Sequence, residues 1–351
     1  MADINGRPCC GDNSRPWRVA RTGNRGCGRS YDGIPMAVPR LSPRAYRRAT
    51  ATALILLSAI VVTGAAVRLT GSGLGCSDWP ACENDRLVAP LEYHPMIEFT
   101  NRVFTGAVVV AIVVAVLGSF VRTPRRRDLT WLSLGLVAGV VGQIVLGGIT
   151  VLFELHPALV GGHFLLSMVL VTNAVVLHWR AGRDRKPLPV PLPRSGERWL
   201  ANAIVIAAAV VLIAGTVVTG TGPHGGDEEA RRYAFEMPDV ARVHGATVWV
   251  LVALTLVAVV RLRTSSLSPE AARAATALLG VEVAQGAVGY TQYFSGVPPL
   301  LVALHVVGAL AVWITAVRLR LSIGSQFGVP LELQPRSDAP GPPTEPSLVR
   351  A

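Results

Sequence analysis

Residues 142–164 read GQIVLGGITVLFELHPALVGGHF, and residues 284–306 read AQGAVGYTQYFSGVPPLLVALHV. Gln143, Pro157 and His163 of the first stretch stand 142 residues before Gln285, Pro299 and His305 of the second. Glutamine and histidine are rare in apolar segments, so one offset shared by both, and by a proline between them, marks an internal repeat. Earlier in each half, Thr70-Gly71-Ser72-Gly73 pairs with Thr219-Gly220-Thr221-Gly222, both leaving the first apolar run of their half.

The chain around these stretches has 351 residues, 51% of them hydrophobic and only 16% charged, with a mean hydropathy of +0.45. A soluble domain carries about 25% charged residues, and a membrane crossing needs roughly 20 mainly apolar residues. Eight such runs occur, near 50–69, 99–121, 129–152, 159–179, 199–219, 243–261, 271–290 and 298–317. The expected fold is therefore all-α: a polytopic membrane protein with eight transmembrane helices.

The net charge of +11 sits in alternate loops. Arg40, Arg44, Arg47 and Arg48 precede the first run, Arg122 and Arg125 to Arg127 follow the second, and a third cluster spans Arg180 to Arg198. Arg261, Arg263 and Arg273 separate the sixth and seventh runs, and Arg318 and Arg320 follow the eighth. Basic loops stay in the cytoplasm, which puts both termini inside, in a cell membrane crossed several times. This placement argues for lipid as the surrounding partner and against nucleic acid. Each half begins and ends inside, so the halves are expected as four-helix-bundle repeats of parallel topology, related by an axis along the membrane normal. The expected organisation is a disordered basic head over 1–48, a first bundle over 49–180, a cytoplasmic linker over 181–198, a second bundle over 199–320 and a disordered tail over 321–351. Met36 is a candidate second start, and the long first run after a basic tail is unlike a cleavable signal peptide.

Polar side chains inside a membrane are costly, and they mark function; in a four-helix bundle they hold cofactors from facing helices. His244 opens the sixth run and His305 stands near the outer end of the eighth, so the two imidazoles are expected at one depth. Zinc or copper sites want three or four protein ligands, whereas a porphyrin brings four nitrogens of its own. Haem with His244 and His305 as axial ligands is the economical reading; two histidines facing headgroups are the bland one. In the first half His163 corresponds to His305, but His244 aligns by helix start with Asn101, a poor iron ligand. That site would have one strong axial bond and an open side, with Glu98 and Asn101 on the helix face that points at it. The bland alternative for Glu98 is a surface ion pair with Arg102. The half with two histidines suits electron transfer, and the half with one suits chemistry at the haem.

Arg68, Arg102 and Arg242 lie at outer ends of runs, against the charge trend, and are candidates for binding haem propionates through bidentate contacts. Cys76 and Cys82 lie in the first outer loop, where an oxidising compartment permits a disulfide; unpaired thiols or half a metal site are the other options. Glu282 lies deep in the seventh run without an evident role, and His156, His178 and His224 read as loop or helix-end residues.

Taken in order, these features resemble the haem A synthase family across roughly residues 50–318. The residues carrying the resemblance are Glu98-x-x-Asn101-Arg102, Gly142-Gln143-x-x-x-Gly147, Pro157 through His163-Phe164, His244, His305, and Cys76 with Cys82. The resemblance implies an oxidoreductase that converts the C8 methyl of haem O to the formyl group of haem A by successive hydroxylations, for terminal oxidase maturation. It implies haem b ligated by His244 and His305, haem O as substrate near His163 with Asn101 and Arg102, and Glu98 as the catalytic carboxylate. Cys76 and Cys82 match a family cysteine pair linked to substrate handling. Haem O synthase follows as a partner by pathway logic, and homo-oligomerisation stays open. Two departures stand out: many members have histidine at the position of Asn101, and some have a second cysteine pair in the loop corresponding to 220–242, which has no cysteine here. Two other readings compete: a membrane b-type cytochrome exchanging electrons with quinone, and a small-molecule transporter, against which the nearly apolar midplane speaks.

Overall fold

The computed structural model describes residues 40–76, 78–82, 88–183, 195–264 and 269–323, and among them it forms eight α-helices. In chain order these are α1 (Pro43–Leu69), α2 (Tyr93–Val121), α3 (Arg127–Leu152), α4 (Pro157–Ala181), α5 (Ser195–Thr221), α6 (Met237–Thr264), α7 (Pro269–Phe294) and α8 (Pro299–Ser322). At 24 to 29 residues each, the helices reach well past the roughly 20 needed to cross a bilayer. Seven carry an apolar window long enough to do so. The eighth, α7, is rich in Ala and Gly and carries Glu270, Arg273 and Glu282. Large apolar side chains such as Val110, Leu117, Trp131, Ile206, Ile213 and Val257 point outward and are exposed, the surface a lipid solvent demands. The chain is a polytopic helical membrane protein.

Most of the expected head and tail, and most of the 181–198 linker, lie outside the described residues. The helices also extend beyond their apolar runs. Pro at a first helical turn has no backbone N–H to lose, and α1, α4 and α8 all begin on one. Ser42 caps α1 by accepting the Ala45 N–H. α2 begins at Tyr93, ahead of its apolar run, so Glu98 and Asn101 sit inside the helix rather than at its opening.

Within each set of four, neighbours pack in a ring: α1 on α2, α2 on α3, α3 on α4 and α4 on α1, and likewise α5 through α8. The two sets meet through α1, α4, α5 and α8, and one apolar cluster runs across the seam from Met168 and Val171 of α4 to Leu310 and Trp313 of α8. Trp313 pins that seam, its indole N–H donating to the Met168 carbonyl and the Thr172 hydroxyl. The α3–α4 turn places Glu154 and Leu155 at positive φ, and the α7–α8 turn does the same with Gly296 and Val297, each pair just before the proline region that starts the next helix. For a β-branched residue such as Val297 this conformation is costly, so the surrounding fold holds it there.

At the arginine-rich end, Arg126 donates to the Arg180 and Arg183 carbonyls and pairs with Asp128, while Arg183 pairs with Glu270 at the start of α7. The opposite end carries the loop with Cys76 and Cys82, and is called the disulfide end below.

Candidate functional site

The second set of four helices brings His244 of α6 and His305 of α8 together near the disulfide end, with ring centroids 6.4 Å apart and ring planes at 68°. Two imidazoles bound to opposite sides of one metal through bonds of about 2 Å, each ring centre roughly 1.1 Å beyond its nitrogen, would have centroids about 6 Å apart. The spacing therefore fits one iron between the rings.

Glycines on the preceding helices set the rings in place. A Cβ on Gly289 of α7 would stand 3.0 Å from Cε1 of His305, and one on Gly215 of α5 would stand 3.3 Å from Cε1 of His244. Each imidazole thus lies with one edge against bare backbone. Gln285 fixes α7 to α8 beside it, its Nε2 donating to the His305 carbonyl at 2.8 Å. Nδ1 of His305 is buried without a partner.

The first set repeats part of this. A Cβ on Gly147 of α3 would stand 3.3 Å from Cε1 of His163, and Gln143 Nε2 donates to the His163 carbonyl at 3.1 Å as well as to Ser167 Oγ at 2.7 Å. Nδ1 of His163 is also buried without a partner. On α2 the arrangement differs. Asn101 Oδ1 accepts from Thr63 of α1 at 2.8 Å, and a Cβ on Gly64 would meet nothing within 4 Å. Asn101 is thus a short amide held to a neighbour's hydroxyl, where the second set has an imidazole.

Glu98 is buried, at 7% exposure, which excludes the surface ion pair. Its Oε2 accepts the Cys76 N–H at 2.7 Å and its Oε1 accepts from Arg102 at 2.6 Å. Arg102 also donates to the carbonyls of Cys76, Asp78 and Ala81. Carboxylate and guanidinium together therefore clasp the loop that Cys76 and Cys82 close with a disulfide. Gly75 permits the close approach, since a Cβ there would fall 2.5 Å from the His94 carbonyl oxygen. From the same loop, Trp79 covers Gly148, adjacent to the glycine that faces His163. The disulfide loop, Glu98 and the His163 region are thereby joined in one cluster.

The three arginines near the disulfide end have separate settings. Arg102 spends its donors as described. Arg68 donates to the His224 carbonyl at 2.6 Å, and the His224 ring donates through Nε2 to the Val297 carbonyl at 2.8 Å. Arg242 is well exposed and pairs with Asp239. Sequence reasoning missed the role of His224, which ties loops of the two sets together alongside the Gly73 N–H to Gly226 carbonyl bond. It also missed Gly289, although Gly147 lies at the same 142-residue offset that revealed the repeat.

Comparison with known proteins places the chain in a family. A family profile described as cytochrome oxidase assembly protein matches residues 47–223, half of the chain. Among curated relatives, a protein named heme A synthase from Alkalihalophilus pseudofirmus is 26% identical over 161 residues, 45% of this chain and 54% of the relative. One of the same name from Listeria welshimeri is 29% identical over 127 residues, 35% of this chain and 41% of the relative. Another from Lysinibacillus sphaericus is 26% identical over 165 residues, 46% of this chain and 54% of the relative. The matched part of the chain thus spans about half the length of these relatives.

Proposed function

Because the chain belongs to the cytochrome oxidase assembly protein family, we propose that it is a haem A synthase, oxidising the C8 methyl of haem O to a formyl group. The observation that carries this reading is the pair of imidazoles at iron-bridging distance in one half, beside a one-histidine counterpart with a buried carboxylate in the other. The names of the relatives support it.

In this reading His244 and His305 hold a resident haem b, whose iron supplies one-electron chemistry when bound. His163 holds the substrate haem O from one side, and Gly147 leaves its ring the space to turn towards it. Asn101, anchored by Thr63, keeps the other side open. Glu98 is the carboxylate that exchanges protons at the reacting methyl, and Arg102 holds it in place while fixing the disulfide loop above. Arg68 and Arg242 remain candidates for propionates, and a haem O synthase is the expected supplier of substrate. The halves act as parallel repeats in the cell membrane with both termini cytoplasmic, because the arginine-rich ends then face inside.

The test is pigment extraction after co-expression with a haem O source. Haem A accumulates with the wild type and falls with Glu98→Ala by about 100-fold or more, the usual contribution of a general acid–base group. Haem O alone from the wild type removes the synthase reading and leaves a b-type cytochrome.

A further inference from the structure

The two bundles differ in one further place. Glu282 of α7 is buried at 4% exposure, and its Oε1 accepts from Thr255 of α6 at 2.9 Å. Its Oε2 has no partner. One turn nearer the disulfide end, Gln285 bonds the His305 carbonyl through Nε2, and its Oε1 is likewise buried without a partner. Gly289, which faces the His305 ring, stands seven residues from Glu282, about 10 Å along the helix. A polar column thus descends from the imidazole pair through Gln285 to Glu282 and Thr255. In the first bundle the Gln143 step is present and the column stops there. The position matching Glu282 at the 142-residue offset is Val140, and Thr255 matches Ile112 at the offset that pairs Asn101 with His244; both are buried in the apolar core.

A carboxyl in an apolar bundle needs a reason, because an uncompensated charge there is expensive. No ion pair reaches Glu282 among the described residues. From α6 it faces Thr255, with His244 farther towards the disulfide end and Arg263, bonded to Thr276 of α7, towards the other. From α8 the titratable neighbour is His305, in the direction of the disulfide end. On α7 itself Glu270 and Arg273 lie more than two turns away. The charge that would change near Glu282 is the one between His244 and His305.

Resting on the functional reading above, we propose that Glu282 is a redox-linked proton-exchange site for the haem held by His244 and His305. When that haem accepts one electron from a one-electron reductant, the Glu282 carboxylate takes up one proton from the aqueous phase, forming an O–H bond at Oε2. On reoxidation the electron and proton both leave. The net charge inside the bundle is then the same in both oxidation states. The first bundle has Val140 at that position, and its own buried carboxylate, Glu98, is already paired with Arg102.

The test is a potentiometric titration of the haem-loaded full chain, followed through the low-spin absorption bands, across the neutral pH range. The wild-type midpoint falls as pH rises, at most by the roughly 59 mV per unit that converts tenfold in protons for one electron. Glu282→Gln keeps the low-spin spectrum and loses the fall. Should that variant not assemble, Thr255→Val, of similar volume, moves the pH range over which the fall occurs; an unmoved range overturns the proposal. Equal slopes in wild type and Glu282→Gln, or a flat wild type with a normal low-spin spectrum, overturn the inference alone. A wild type that binds no low-spin haem overturns the functional reading, and the inference with it.

Discussion

The two bundles of this chain use one scaffold and finish it differently. Both carry a glutamine that bonds the carbonyl of a histidine one helix on, and both press that histidine's ring against a glycine. In the second bundle a second imidazole completes the clamp. In the first, Asn101 bonded to Thr63 stands at the aligned position, and Glu98 and Arg102 hold the disulfide loop. In the proposed reading, the shared scaffold sets where a haem sits, and a few side chains decide whether its iron is enclosed or approachable. A saturated iron exchanges electrons, and an approachable one permits reaction at the macrocycle.

The contrast can be broken from either side. The largest effect is expected from His305→Ala, which removes an axial ligand and should abolish the low-spin b-type spectrum. Its loss of haem retention should exceed the 10- to 100-fold typical of an outer-shell change around a metal. An unchanged spectrum would reassign the ligands.

Converting the first bundle into a copy of the second comes next. Asn101→His with Thr63→Ala should double the low-spin haem signal and lower haem A output, since the open side is closed. A low-spin signal that stays single, with haem bound in both bundles, would show that His163 and the new imidazole do not share an iron.

A smaller effect separates the two glycines. In Gly289→Ala the new Cβ meets His305 at 3.0 Å, against 3.3 Å for His163 in Gly147→Ala. Overpacking of this kind costs typically 1–3 kcal/mol, so the Gly289 variant should lower thermal stability and broaden the haem spectrum more than its counterpart. The reverse order would mean that the rings are free to move. The smallest effect belongs to Arg242→Ala: its pair with Asp239 is exposed, and such pairs contribute at most about 1 kcal/mol. Unless Arg242 grips a propionate, stability and haem content should stay as in the wild type; a clear loss of haem would give it that role.

Much of this architecture is legible without coordinates, because a membrane imposes simple rules on sequence. Apolar runs mark the crossings, arginines cluster at one end, and rare polar residues recur at a fixed offset. His244, His305 and His163 stand out for that reason. What could not be read depends on chain reversal. The loop from 70 to 92 has no periodicity, so nothing in sequence says that the Cys76 N–H meets Glu98, or that Arg102 reaches three loop carbonyls. His224 seemed unremarkable because its partners are backbone atoms of distant segments. Glu282 was visible as an oddity, but Thr255 looked like any helical threonine until α6 and α7 were seen side by side.

The indole of Trp313 carries a consequence for how the halves communicate. It locks α8 to α4 through both a backbone carbonyl and a threonine hydroxyl, and those two helices bear His305 and His163. Sliding either helix by one turn would shift its histidine by about 5.4 Å and break both bonds at once. The two bonds therefore hold His163 and His305 in register across the seam, so in the proposed reading electrons can pass between the two haems without a hinge or piston.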